Sequence, residues 1–118
     1  MPLLLVVNHP QLRAMLRKLL IKRGFRLVEA EDAAGAMAIL SEFGGAAALV
    51  ISDNQLGDTN GADLARQVKQ QFPGLRVLLM SSTASPGDCP FCDGILPKPF
   101  TPSDLVKAIR SQLEGPAQ

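Results

Sequence analysis

Ala47-Ala48-Leu49-Val50-Ile51-Ser52-Asp53 decides the fold. Its apolar run is too short for an ordinary helix and lacks polar alternation, the mark of a strand buried on both faces. It closes on a carboxylate. In an open parallel sheet all strand C-termini lie on one edge, where ligands bind. A second short apolar stretch, Gly94-Ile95-Leu96, runs through Pro97 into Lys98-Pro99-Phe100. An aspartate and a lysine, each at the exit of a buried strand and 45 positions apart, are expected to meet at that edge. There the lysine would hold an anionic group attached to the carboxylate.

Three more strand-like runs lie at Leu3–Val7, Arg26–Ala30 and Arg76–Ser81, with helical periodicity between them. Leu12, Met15, Leu16, Leu19 and Leu20 fit the spacing of one buried helical face, with Pro10 in the first turn and Gly24 at the stop. Met37, Leu40 and Phe43 mark a second helix, ended by Gly44-Gly45. Leu64, Ala65, Val68 and Phe72 mark a third, ended by Pro73-Gly74. Leu105, Val106, Ile109 and Leu113 mark the last; Thr101 is its N-cap, Pro102 its first residue, and Asp104 completes a capping box. Alternating strands and helices give an α/β fold, a doubly wound five-stranded parallel sheet with helices on both faces. One interval breaks the rhythm. Ser82 to Asp93 holds two prolines and a glycine, so a loop, or at most one turn, is expected where a fourth helix would pass.

At 118 residues the chain is read as one domain, residues 1–118. With 47% apolar and 19% charged residues it is an ordinary folded chain, and a net charge of +1 points to no strongly charged partner. Half of the twelve basic residues lie between Arg13 and Arg26, read as a solvated helix face. Nucleic-acid binding would want aromatics interleaved with them, and the chain has no Trp or Tyr. No apolar run approaches the roughly 20 residues of a membrane span, and the opening run is too short for a signal peptide. The reading is cytoplasmic, with Cys89 and Cys92 reduced by default.

Taken in order, four pieces resemble the receiver domain of two-component response regulators along essentially the whole chain. They are Leu3–Val7 with Asn8-His9-Pro10, Leu49–Asp53 with Gly61 eight residues on, Phe72-Pro73-Gly74 leading into Arg76–Ser81, and Leu96-Pro97-Lys98-Pro99-Phe100. The resemblance implies a flavodoxin-like strand order of 2-1-3-4-5 and phosphoryl transfer from a histidine kinase to Asp53. It implies that Lys98 and Ser81 contact the phosphoryl group, with Ser82 and Thr83 as rivals to Ser81. Lys98-Pro99 would be a cis bond, and Mg²⁺ would be held by Asp53, the Gln55 carbonyl and two acidic residues after the first strand. A histidine kinase or another signalling protein, and a second copy of the chain, are the implied partners; an enzyme with its own substrate is not expected.

Several positions depart from the family pattern. The acidic pair falls on Val7 and Asn8, or, shifted by one residue, on Asn8 and His9. Losing two formal charges beside a dication weakens Mg²⁺ binding roughly a thousandfold. The degraded metal set is then Asp53, Asn8 and Gln55. The aromatic switch position is Ile95, which cannot alternate between aromatic rotamers. The expected function is that of an atypical receiver acting through protein–protein contact. The rival reading is a metal- or thiol-sensing module built on Cys89, Cys92 and His9, with Asp53, Asp88 or Asp93 as a fourth ligand.

Overall fold

The computed structural model describes residues 1–83 and 89–114. β1 (Leu3–Val6), β2 (Leu27–Ala30), β3 (Leu49–Asp53), β4 (Val77–Ser81) and β5 (Gly94–Pro97) form one sheet in the order β2-β1-β3-β4-β5. Every neighbouring pair is parallel. The helices are α1 (Pro10–Lys22), α2 (Ala33–Glu42), α3 (Gly61–Gln71) and α4 (Pro102–Glu114).

Alternation along each strand sends side chains to opposite faces. Leu4, Val6, Val50, Val77 and Leu79 pack with Leu40, Leu64, Ala65 and Val68 beneath α2 and α3. Leu3, Leu5, Leu49, Ile51, Leu78 and Met80 pack with Leu16, Leu20, Leu105 and Ile109 beneath α1 and α4. Two cores share one sheet, which is why the apolar runs of β1, β3 and β4 show no polar alternation.

Local chemistry sets the helix starts. His9 Nδ1 accepts from the Leu12 N–H at 3.1 Å, and the Asp32 and Asn60 side chains accept from Gly35 and Asp63 in the same way. At α4 the capping box forms reciprocally: the Asp104 N–H donates to Thr101 Oγ1 and the Thr101 N–H to Asp104 Oδ2, each at 3.0 Å.

Three residues expected on buried helix faces lie outside. Met15 is 58% exposed, Phe43 is the exposed C-cap of α2, and Leu113 faces solvent in the last turn of α4. The α1 stripe centres on Leu16 and Leu20, and at 100° per residue Met15 falls beyond its edge. No described residue between Ser81 and Gly94 is helical, so the fourth helix expected to be shortened or replaced is absent from the described part of that connection. The rest of it, residues 84–88, lies outside the described residues.

Candidate functional site at the carboxyl edge of the sheet

The C-termini of β1, β3, β4 and β5 bring Asn8, Asp53, Ser81 and Lys98 to one edge. Asp53 ends β3, and its side chain is only 13% exposed. Lys98 Nζ donates to Asp53 Oδ1 at 2.5 Å, and the Asn54 N–H donates to the same oxygen at 2.9 Å. The meeting read from the sequence is therefore a direct ion pair. Lys98 is held there by its backbone, whose N–H donates to the Ser81 carbonyl at 2.9 Å, and Lys98–Pro99 is cis.

Beside the pair is a cavity of about 170 Å³ lined by Asp53, Asn54, Gln55, Ser81, Thr83 and Lys98. Ser81 is 2% exposed and its Oγ accepts from the Thr83 N–H at 3.1 Å, whereas Ser82 and Thr83 stand exposed at the rim. A carboxylate, an ammonium group and a hydroxyl thus converge on a space suited to an oxyanion attached to Asp53. Ile95, paired with Leu79 of β4, is half-buried against the α2/α3-side core.

The two readings of the missing acidic pair separate here. Val7 is fully buried in the α1-side core, while Asn8 and His9 line the cleft with Asp53, Gln55 and Lys98. Each side chain makes a structural bond through one of its nitrogens. Asn8 Nδ2 donates to the Glu31 carbonyl at 2.9 Å, and His9 Nδ1 caps α1. Gly57 is shaped to Asn8: its φ is +83°, and a Cβ there would stand 3.0 Å from Asn8 Nδ2. A Mg²⁺ ion wants several hard anionic oxygens. This edge offers one carboxylate, with Oδ1 held by Lys98 and Asn54, plus an exposed Gln55 bridged to Asn60. The donor set does not fit the ion.

The Cys₂His alternative does not assemble. Cys89 and Cys92 are joined to each other as a disulfide, not reduced, their Cα atoms 5.3 Å apart within a turn. They also sit at the opposite edge from His9, because the Asp93 N–H donates to the carbonyl of Val77, the first residue of β4. Asp53 belongs to the far edge, Asp93 is bound to Lys69, and Asp88 lies outside the described residues. Among the described residues no group of three His, Cys, Asp or Glu side chains could hold a metal.

Two residues outside the expected site set also shape this edge, Gly61 from the family pattern and Asp58 with no motif of its own. Gly61, at the start of α3, sits so close to β3 that a Cβ would be 2.6 Å from the Asp53 carbonyl oxygen. Asp58, in the loop after β3, accepts from the Ala33 and Ala34 N–H groups of α2 at 3.2 and 3.1 Å. Burial opposes ionisation of Asp58, but the backbone N–H groups of Ala33, Ala34, Asp58 and Thr59 together outweigh it and hold its carboxyl below the ordinary value of 3.8.

The profile of the response regulator receiver domain matches residues 3–110. The chain belongs to the response regulator receiver family. This receiver is 30% identical over 118 residues to the sensor kinase CckA of Brucella abortus, covering 94% of this chain and 12% of that protein. It is also 30% identical to the transcriptional regulatory protein CpxR of Klebsiella pneumoniae, covering 94% of this chain and 48% of the relative. The chain thus spans at most about half the length of these relatives. Among solved structures, the receiver domain of the hybrid histidine kinase CckA superposes with a TM-score of 0.81 at 26% identity, covering 96% of this chain and 99% of that one. This chain is a receiver domain of two-component systems, and no described helix is long and apolar enough to cross a membrane.

Proposed function

We propose that this receiver works in the cytoplasm as an interaction module of a two-component phosphorelay, with Asp53 as an inefficient phosphoacceptor and a histidine kinase or another signalling protein as partner. The observation that carries this reading is the 2.5 Å ion pair between Lys98 and Asp53 in a cleft whose described lining holds no second carboxylate. Asp53 Oδ2, engaged by neither Lys98 nor Asn54, is the oxygen that would attack an in-line phosphorus. The transferred group would then take Lys98 from Oδ1, with Ser81 in reach of a second phosphoryl oxygen. Nothing in the donor set replaces the charge that a dication supplies, so the transfer would be slow.

Intact mass after incubation with acetyl phosphate, with and without Mg²⁺ and beside Asp53→Asn, tests this. A small Mg²⁺-insensitive phosphoryl gain, lost in Asp53→Asn, is the expected result. A rapid Mg²⁺-dependent gain would mean the cleft still binds metal productively. No gain under any condition would make the module phosphorylation-independent.

A further inference from the structure

The turn Cys89-Pro90-Phe91-Cys92 plays no part in the carboxyl-edge chemistry, yet it occupies a mechanically important place. Among the described residues between β4 and β5, Cys89 is the buried one. It is 2% exposed and belongs to the α2/α3-side core with Val77, Leu79 and Val68. Cys92 is partly buried at the margin of the same core, while Pro90 and Phe91 project outward. The cysteine pair is therefore the described cover of this face where the chain has no described helix.

The residue after Cys92 is a four-way tie. Asp93 N–H donates to the Val77 carbonyl at 2.8 Å, and Asp93 Oδ2 accepts from the Val77 N–H at 2.8 Å and from Lys69 Nζ at 2.6 Å. The Asp93 carbonyl accepts from Gln112 Nε2 at 3.2 Å. One residue links β4, α3 and α4 to the start of β5, and the disulfide fixes the backbone immediately before it.

We propose that Cys89–Cys92 is a site of reversible thiol–disulfide exchange with an external dithiol, and that its oxidation state sets how firmly the base of β5 is held. Three features favour exchange over a permanent staple. The bridge closes only a three-residue separation, the geometry that restrains the unfolded chain least. Cys92 is the more exposed of the two sulfur-bearing residues, while Cys89 is enclosed, so attack is directed to Cys92. A reduced Cys89 is still a small apolar side chain at home in a core, so both redox states can fold. One thiolate of the dithiol attacks Cys92 Sγ, the Cys89–Cys92 bond breaks, and Cys89 departs as a thiolate and takes a proton. The second thiol of the reductant then displaces Cys92 from the mixed disulfide. The reductant ends as a disulfide, having supplied two electrons and two protons to the cysteine pair.

The test uses the whole chain, without denaturant, in a ladder of reduced to oxidised dithiothreitol. After acid quench, alkylation and intact mass count the thiols, and hydrogen exchange reads the amides of Asp93 to Leu96 in each state. The expected result is a reversible gain of two alkyl groups within the ladder. It is accompanied by at least a tenfold loss of protection at Asp93 to Leu96, with β1 and β3 unchanged. Cys92→Ser, which leaves Cys89 in the core, should reproduce the reduced state. A pair that is reduced only when the chain unfolds would make it a structural staple. Full reduction with unaltered protection would make it inert. Either result overturns the proposal, and neither touches the phosphoryl reading of Asp53.

Discussion

Adding one methyl group at Gly61 tests whether the seat of α3 on β3 fixes the acceptor. The Cβ of Gly61→Ala would stand 2.6 Å from the Asp53 carbonyl oxygen and closer still to Leu79 Cδ1. Non-bonded carbon–oxygen contacts need about 3.3 Å, so α3 and β3 must separate locally by about 0.7 Å. That opening strains the 2.7 Å bond from the Gly61 N–H to the Asn54 carbonyl, at a cost of about 1 kcal/mol. Overpacking adds about 1–3 kcal/mol. Helix propensity acts in the opposite direction, favouring Ala over Gly by about 1 kcal/mol at most. Packing should win, with a net destabilisation of about 1–3 kcal/mol. With a urea slope of about 1–3 kcal/mol/M, the unfolding midpoint should fall by about 1 M. Amide NMR of the same variant should show its largest shifts at Asp53 and Asn54. A midpoint that stays the same or rises, with a native-like spectrum, would refute the reasoning and mean that the seat has slack.

Lys98→Met should destabilise the fold by about 1–2 kcal/mol, between the value of an exposed pair and the cost of orphaning a buried charge, since the two side chains are 30% and 13% exposed. Equal urea midpoints for variant and parent would sink this estimate. Acid should weaken the fold through Asp58 and Asp104. The Asp104 carboxyl is held low first by the Thr101 N–H and then by its hydroxyl, against burial, with Lys107 helping. Both groups have folded values below 3.8, so their stabilisation is fully present above about that pH and is lost as pH falls through the lowered values. Thermal melts from pH 5 to pH 2 should show Asp58→Asn losing less stability below pH 3.8 than the parent, and identical acid profiles would argue against the α2 clamp.

Much of this architecture could be read directly from the residues because the physics acts locally. Strands without alternation can only be buried on both faces, and Thr101-Pro102-Ser103-Asp104 carries its own hydrogen-bond partners. Asp53 and Lys98 meet because both end strands that run the same way. What failed to show depended on distances that sequence order hides. Whether Val7 or His9 faces the cleft turns on a single residue of strand length, and only packing beneath α1 settles it. The rival metal-site reading needs the cysteines beside His9, since both follow strand ends. A parallel connection must, however, travel back to the opposite edge before β5 begins, and it delivers Cys92 and Asp93 to Val77. Asp58 had no signature because its partners, Ala33 and Ala34, precede it by two dozen residues.

Asn8 binds the carbonyl of Glu31 and fits against Gly57, while Asp58 grips the first turn of α2. Three loops of the rim are consequently sewn to one another through side chains, one of them, Asn8, at an expected metal-binding position. Putting a carboxylate at position 8 would unpick the stitch to Glu31 and set two oxygens against each other. The way back to a cation-binding cleft therefore runs through a weakened rim, and a single reversal at this position is penalised before any ion can reward it.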